Sequence, residues 1–231
     1  MKNFLKISLI AFLFLMISCR STDETPVQVQ EPAPFFNINV GNKWVYKTYE
    51  NNDFTNPQSP TTFKGRIDSV SIVGTVNIAG LTFAKQRTKI IDPNSNLNNR
   101  ENFRYLRVNS KGHLVYIYNL NDPNITETSG HVLHPGIDKT FTYSYDFMEM
   151  NQIMGNLFYQ INSEKNVQIE GNSYLVTPYL GAFTPSSNQP NLIKKTQEIS
   201  YKKGLGLVKE ICHSLYGKNY LETRLVSATI K

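Results

Sequence analysis

From residue 35 onward the chain alternates hydrophobic and polar positions with a period of two. Phe141-Thr-Tyr-Ser-Tyr-Asp-Phe147 places an aromatic side chain at every second position, the pattern of a half-buried strand. Trp44 to Thr48, Arg66 to Val73, Asn102 to Val108 and Asn219 to Ile230 behave similarly. Leu114-Val-Tyr-Ile-Tyr118 is apolar on both faces and predicts a strand covered on both sides. Turn-forming residues separate these runs: Asn109-Ser-Lys-Gly112, Glu170-Gly-Asn172, and Asn- or Pro-rich stretches at 50–61, 92–100, 119–130 and 183–193. No long amphipathic helix is visible, and Met148 to Leu157 allows at most a helical turn or two. Strands this short, so regularly punctuated, predict an all-β antiparallel fold, either a sandwich or a partly open barrel.

Three motifs recur in the same order. Gly41-Asn-Lys-Trp44-Val-Tyr46 returns as Asp138-Lys-Thr-Phe141-Thr-Tyr143. Val76-Asn-Ile-Ala-Gly80-Leu-Thr-Phe83 returns as Val167-Gln-Ile-Glu-Gly171-Asn-Ser-Tyr174. Tyr105 to Val115, with Gly112 before Leu114-Val115, matches Tyr201 to Val208, with Gly206 before Leu207-Val208. Residues 35–231 therefore read as one β-domain of two tandem repeats of about 95 residues, near 35–130 and 131–231, sharing one sheet or barrel. β-rich sequences produce chance matches as well; the conserved order of the three motifs argues for the duplication.

The first 34 residues follow another logic. A basic start, Met1-Lys-Asn-Phe-Leu-Lys6, leads into an apolar run from Ile7 to Ile17 and then Ser18-Cys19. A spanning helix needs about 20 apolar residues, so this run reads as the core of a secretory signal over 1–18. Leu15-Met-Ile-Ser-Cys19 resembles the lipobox of bacterial lipoproteins, departing from it at Met16, where Leu is usual. The resemblance implies cleavage between Ser18 and Cys19 and acylation of the Cys19 thiol by palmitate-type chains. The alternative is a plain signal peptide with a coincidental cysteine. One acyl chain alone binds membranes reversibly, whereas lipoproteins of this type carry two or three, which makes the anchor effectively permanent. Arg20 stands where an Asp would signal inner-membrane retention, so the resemblance favours the outer membrane and leaves the periplasmic or surface side open. Residues 19–34, with three prolines and no periodicity, read as the lipidated cysteine plus a tether. At about 3.1 Å per residue the tether reaches some 45 Å.

Charge narrows the partners. Loss of Lys2 and Lys6 with the signal takes the net charge from +6 to +4. Beyond the signal the basic doublets are Lys194-Lys195 and Lys202-Lys203, without the concentrated stripe that nucleic-acid binding requires. Cys212 is the only cysteine besides Cys19, so no disulfide framework is expected. On a strand it reads as a small buried apolar residue, with His213 on the opposite face.

Val40-Gly-Asn-Lys-Trp44-Val-Tyr46 and Lys203-Gly-Leu-Gly-Leu-Val-Lys209 carry a family resemblance. The chain resembles uncharacterised Bacteroidota lipoproteins that open with G-x-x-W-x-Y and close with a G-[IVL]-G-L-V-K hairpin. The resemblance implies an envelope location and a β-rich fold, and it implies no activity.

Chemical motifs are sparse. His131-Val-Leu-His134 would share a face only on a helix, and Pro135-Gly136 argues for a loop, so no metal is expected there. Asp92-Pro-Asn94-Ser-Asn96 starts like a calcium loop but has Leu97 and Phe103 where Gly and Glu are needed. There is no G-x-S-x-G elbow and no marked carboxylate pair, and neither an enzymatic activity nor a cofactor is expected. Asp68-Ser69-Val70 fits a loose O-glycan acceptor pattern. Trp44, Tyr46, Phe141, Tyr143, Tyr145 and Phe147 form aromatic stripes that read either as core or as the lining of a slot between the repeats. The expected function is thus a membrane-anchored envelope protein binding a lipid or other apolar ligand. The alternative is an accessory lipoprotein docking to another envelope or surface protein.

Overall fold

The computed structural model describes residues 34–56, 58–94, 99–117, 120 and 124–231. The signal segment, Cys19 and the tether up to residue 33 lie outside these residues. Every regular element among them is a strand. The first six are β1 (Lys43–Asn51), β2 (Thr61–Ile78), β3 (Leu81–Ile91), β4 (Glu101–Val108), β5 (Leu114–Ile117) and β6 (His131–His134). The next seven are β7 (Thr142–Glu149), β8 (Gln152–Ile161), β9 (Lys165–Ile169), β10 (Asn172–Pro185), β11 (Lys195–Lys202), β12 (Gly206–His213) and β13 (Tyr220–Thr229). All pairings are antiparallel, in one sheet ordered β6-β5-β4-β3-β2-β1-β13-β12-β11-β10-β8-β7, with β9 pairing β10 alone. The all-β antiparallel reading is what the structure shows. The segment 148–157 differs: it is the β7–β8 hairpin, and Met150 and Asn151 turn the chain at φ 48° and 63°. Two positive φ values in a two-residue turn match the twist of the flanking strands, which outweighs any helical preference.

The sheet is a meander that meets itself. β13 closes against β1 from Lys43↔Thr229 to Asn51↔Tyr220. This leaves β6 and β7 as the outer edges. The β6 edge curls back over the sheet, because the His134 ring reaches the Thr177 carbonyl on β10 at 3.0 Å. It also stacks on Phe35 and packs against Phe36, Tyr179 and Tyr201. The architecture is a partly open barrel, zipped at β1–β13 and unpaired between β6 and β7.

The second motif pair turns the chain alike at its two places, whereas in the first pair Trp44 lies within central β1 and Phe141 precedes the edge strand β7. Ala79-Gly80 turns β2 into β3 at φ 49° and 80°, and Glu170-Gly171 turns β9 into β10 at φ 48° and 79°. The aromatic after each turn lies beneath a cation: Arg107 over Phe83 at 5.6 Å and Lys202 over Tyr174 at 5.4 Å. β2 pairs β1 through its first half and β3 along most of its length. In the later segment those two tasks are divided, β8 pairing both β7 and β10, and β9 pairing β10 only.

The main core gathers Phe36, Trp44, Tyr46, Ile72, Leu106 and Leu225 with neighbours from both halves. Two smaller clusters sit under Phe83 and around Leu157 and Phe183. β5 is buried on both faces, as its continuous apolar run predicts. β7 is not half-buried, since six of its residues from Thr142 to Met148 are exposed and only Phe147 and Glu149 are partly covered. As an edge strand it has a neighbour on one side only.

Candidate functional site

Alternation along β1 aims Trp44, Tyr46 and Thr48 inward, where all three are buried. The two aromatic rings are fixed by their polar ends: Trp44 Nε1–H donates to the Leu205 carbonyl at 2.6 Å, and the Tyr46 hydroxyl donates to the Leu207 carbonyl at 3.2 Å. Leu205 precedes β12 and Leu207 is its second residue, so β1 is stapled to the start of β12 across β13. Gly206 lies directly under the indole, where a Cβ would stand 3.2 Å from Trp44 Nε1.

These rings form part of the wall of a chamber of about 370 Å³ on the concave face of the sheet. Ile72, Leu106, Leu114 and Leu133 add apolar wall. Polar side chains share the same walls, because Tyr46 pairs with Asp68, and Ile72 pairs with Gln86, which in turn pairs with Arg104. Arg66, Asp68, Asn102, Arg104, Glu210, Cys212 and Thr223 also line the chamber. The volume lies in the range of about 300–1,000 Å³ typical of small-molecule sites.

The charges in the chamber are unequally satisfied. Arg66 grips Asp68 with two hydrogen bonds, Nε to Oδ1 at 2.9 Å and Nη2 to Oδ2 at 2.8 Å. Arg104 makes no ion pair among the described residues; its guanidinium stands 5.7 Å over the Tyr116 ring. Glu210, opposite on β12, has no hydrogen-bonded partner for its carboxyl among the described residues. Burial raises its pKa above the ordinary carboxylate value, opposed by the more distant charges of Arg104 and Arg66. An exposed Arg104 guanidinium and the Glu210 carboxyl thus both line the chamber with no ion pair between them among the described residues.

Of the residues singled out from sequence, Trp44 and Tyr46 line the chamber. Phe141, Tyr143, Tyr145 and Phe147 are not among its walls. The pairings Tyr143↔Tyr159, Tyr159↔Gly181 and Gly181↔Gln197 put the β7 aromatics on the same face of the sheet as Ile199, which does line it. They stop short of the space itself. Tyr143 and Tyr145 pack on each other at 5.6 Å, Phe147 meets Phe183, and Phe141 stands edge-on to His113 at 4.7 Å. Cys19 and Ser18 lie outside the described residues.

Cys212 corrects the expectation of a buried core cysteine. It is exposed, into the chamber, and its thiol pKa is raised by burial and by Glu210. His213 points the other way, to the Thr196 carbonyl at 3.0 Å, as strand alternation requires. His134 is not on a loop: it ends β6, fully buried. His131 sits against the Tyr116 ring at 5.3 Å. Among the described residues no three His, Cys, Asp or Glu converge on a metal-sized site. Asn94 closes a turn onto the Asp92 carboxylate and donates to the Lys64 carbonyl.

Sequence reasoning missed Arg66, Asp68, Arg104 and Glu210. The signal was there: each sits in phase with an apolar inward position of its own strand, Asp68 with Val70, Arg104 with Leu106, Glu210 with Cys212. A charged residue in phase with core positions has no reason to be there in a solid core, because burying a charge unpaired is costly.

No protein-family model matches the chain, and no curated protein matches it significantly. Two solved structures are similar in fold. One, from Bacteroides fragilis NCTC 9343, is designated an exported protein with a YmcC-like fold; it is 8% identical, with 86% of this chain and all of that one aligned at a TM-score of 0.47. The other, from Parabacteroides distasonis ATCC 8503, is designated a lipoprotein; it is 10% identical, with 87% and 100% of the two chains aligned at a TM-score of 0.42.

Proposed function

We propose that this protein is a lipid-anchored envelope protein whose half-open barrel holds an apolar or amphipathic ligand in the chamber beside Trp44. One observation carries the binding role: the apolar walls of Trp44, Ile72 and Leu106 border open space in place of side chains, with polar groups among the other walls. Well-packed interiors leave few voids larger than a water molecule, so space of this size inside a sheet is a site. The anchor rests on Ser18-Cys19 and the apolar run before them, and the outer membrane on Arg20 after them. Replacing Cys19 by Ala is expected to abolish labelling by palmitate and to release the protein from membranes; unchanged labelling refutes the anchor. Residues 20–231 contain every described strand and chamber wall. Native mass spectrometry of this segment is expected to show co-purified lipid, and a protein that stays empty when offered single-chain amphiphiles refutes the binding role.

The shared turn geometry, the matching cation–aromatic pairs and the divided β8–β9 strand support descent from a duplicated meander. A second functional reading, docking to another envelope protein, is favoured by β7. Its outer edge is unpaired, with Tyr143, Tyr145 and Met148 exposed along it and Met150 91% exposed at its end. A stable complex captured through this edge by an otherwise empty protein would support that reading over the first.

A further inference from the structure

The chamber has both apolar and charged walls, and its charged groups are unequally paired. Arg66 and Asp68 satisfy each other through a two-pronged bond. That pair neutralises itself and adds no net charge for a ligand. Arg104 and Glu210 do not satisfy each other. They stand on strands β4 and β12, on opposite walls of the curved sheet, and no ion pair joins them. The five donors of a guanidinium are strong, and directional toward oxygen anions. One face of Arg104 rests over Tyr116, which leaves its donor edge free of any carboxylate among the described residues. Glu210 has no donor among those residues, burial raises its pKa above the ordinary carboxylate value, and once protonated the carboxyl can itself donate a hydrogen bond.

Resting on the binding role argued above, we propose that the chamber takes a single-chain amphiphile with an anionic oxygen head group. The chain lies against Trp44, Ile72 and Leu106, and the head lies between Arg104 and Glu210. The head accepts from the Arg104 guanidinium on one side. On the other, Glu210 takes a proton from solvent and donates it as a hydrogen bond to the head. The bound state therefore carries one cation, one anion and one neutral acid where the empty state carries Arg104 and an ionisable carboxyl. Anion binding is linked to proton uptake, and affinity rises as pH falls across the titration of Glu210. A cationic head fits poorly, because Arg104 would repel it and Asp68 is already engaged by Arg66. A neutral head can accept a hydrogen bond from Arg104 but forgoes the ion pair.

The test uses residues 20–231 and the fluorescence of Trp44, the only tryptophan in the chain, which lies in the chamber wall. The probes are dodecanoate, monododecanoylglycerol and dodecylamine, titrated at pH 8 and pH 6. Dodecanoate is expected to bind tightest and to gain affinity at pH 6. Arg104→Gln is expected to weaken dodecanoate by at least about tenfold and the neutral glyceride far less, since only the anion forms an ion pair with the guanidinium. Glu210→Gln is expected to keep dodecanoate binding and remove its pH dependence. Equal binding of all three probes, or an Arg104→Gln variant that weakens none, overturns the head-group inference and leaves the binding role standing. Tightest binding of dodecylamine also overturns it. If no probe binds at either pH, the binding role falls and this inference falls with it. Circular dichroism of each variant at both pH values establishes that the sheet is intact in every arm.

Discussion

His134 should make the fold sensitive to mild acid. Its Nε2–H donates to the Thr177 carbonyl at 3.0 Å, and its Nδ1 accepts from the Gly136 N–H, also at 3.0 Å. Only the neutral ring does both, because a proton on Nδ1 would confront the Gly136 N–H. Burial among aromatic rings lowers the pKa from 6.5 to about 4, against a smaller opposing effect of the Thr177 carbonyl. The folded value lies below the unfolded one, so the unfolded chain binds more protons between them and stability falls as pH drops through this window. For a shift from 6.5 to about 4, the loss is about 2 kcal/mol between pH 7 and pH 5 and about 3 kcal/mol by pH 4. Carboxylates held low, such as Glu50 and Asp138, add their losses at lower pH, which makes the interval from 7 to 5 the informative one. His213, also lowered by burial, contributes in the same interval, so the comparison must be with a variant. Urea unfolding of the wild type and of His134→Gln at pH 7 and pH 5 isolates the contribution. The variant starts less stable but should lose about 2 kcal/mol less over that interval. NMR titration of the wild-type ring offers a direct reading. Equal pH slopes for the two proteins, or a ring titrating near 6.5, would refute the argument. So would a His134 that is protonated at pH 6 while the sheet stays intact.

Two further outcomes follow from single side chains. Cys212 opens on the chamber with a raised pKa, so its thiol should react slowly with a disulfide reagent at pH 8, and bound dodecanoate should slow it further. Protection absent under saturating ligand would place the ligand elsewhere. The buried Tyr179 hydroxyl has no partner among the described residues. Tyr179→Phe should therefore leave stability unchanged or raise it by about 1 kcal/mol in urea unfolding, because it removes an unsatisfied polar group at constant shape. A loss of 2 kcal/mol or more would show that the hydroxyl is bonded.

The period-two pattern made the strands legible, since side-chain direction in a strand depends only on parity. Trp44-Val-Tyr46, with no competing period, becomes β1 with both aromatics inward. Phe141-Thr-Tyr-Ser-Tyr-Asp-Phe147 has an even cleaner alternation and becomes an exposed edge. Parity tells which residues share a face, but not whether another strand or layer covers that face. Coverage is a tertiary property: β1 sits between β2 and β13, while β7 has β8 alone. The same limit applies to Cys212, whose parity was right and whose neighbour across the sheet is empty space instead of a side chain. Met148 to Leu157 was unreadable for a local reason. Asn151 tolerates the left-handed conformation and turns the chain, while Met150 beside it gives no turn signal at all.

The two halves of the sheet treat their inner face in opposite ways, and this decides where a ligand can go. In the later half, aromatic rings fill the space themselves. The Tyr159 ring lies over Gly181 and the Phe183 ring over Gly155, so close that a Cβ on either glycine would stand 2.5 or 2.6 Å from ring carbon. Met154, Leu157 and Leu192 pack around Phe183. In the earlier half, the inward positions of β3 and β4 carry Gln86, Thr88, Asn102 and Arg104, which do not fill the interior. Water could satisfy those polar groups, but it gains nothing against Trp44, Ile72 and Leu106, and an apolar wall of that kind favours a dry or occupied space. A purely apolar ligand has the converse problem, because it would strip water from Arg104 and Glu210 without replacing it. Only a molecule that is apolar at one end and a hydrogen-bond acceptor at the other satisfies both walls at once. On the proposed reading, an amphiphile is the ligand whose two parts match these two kinds of wall.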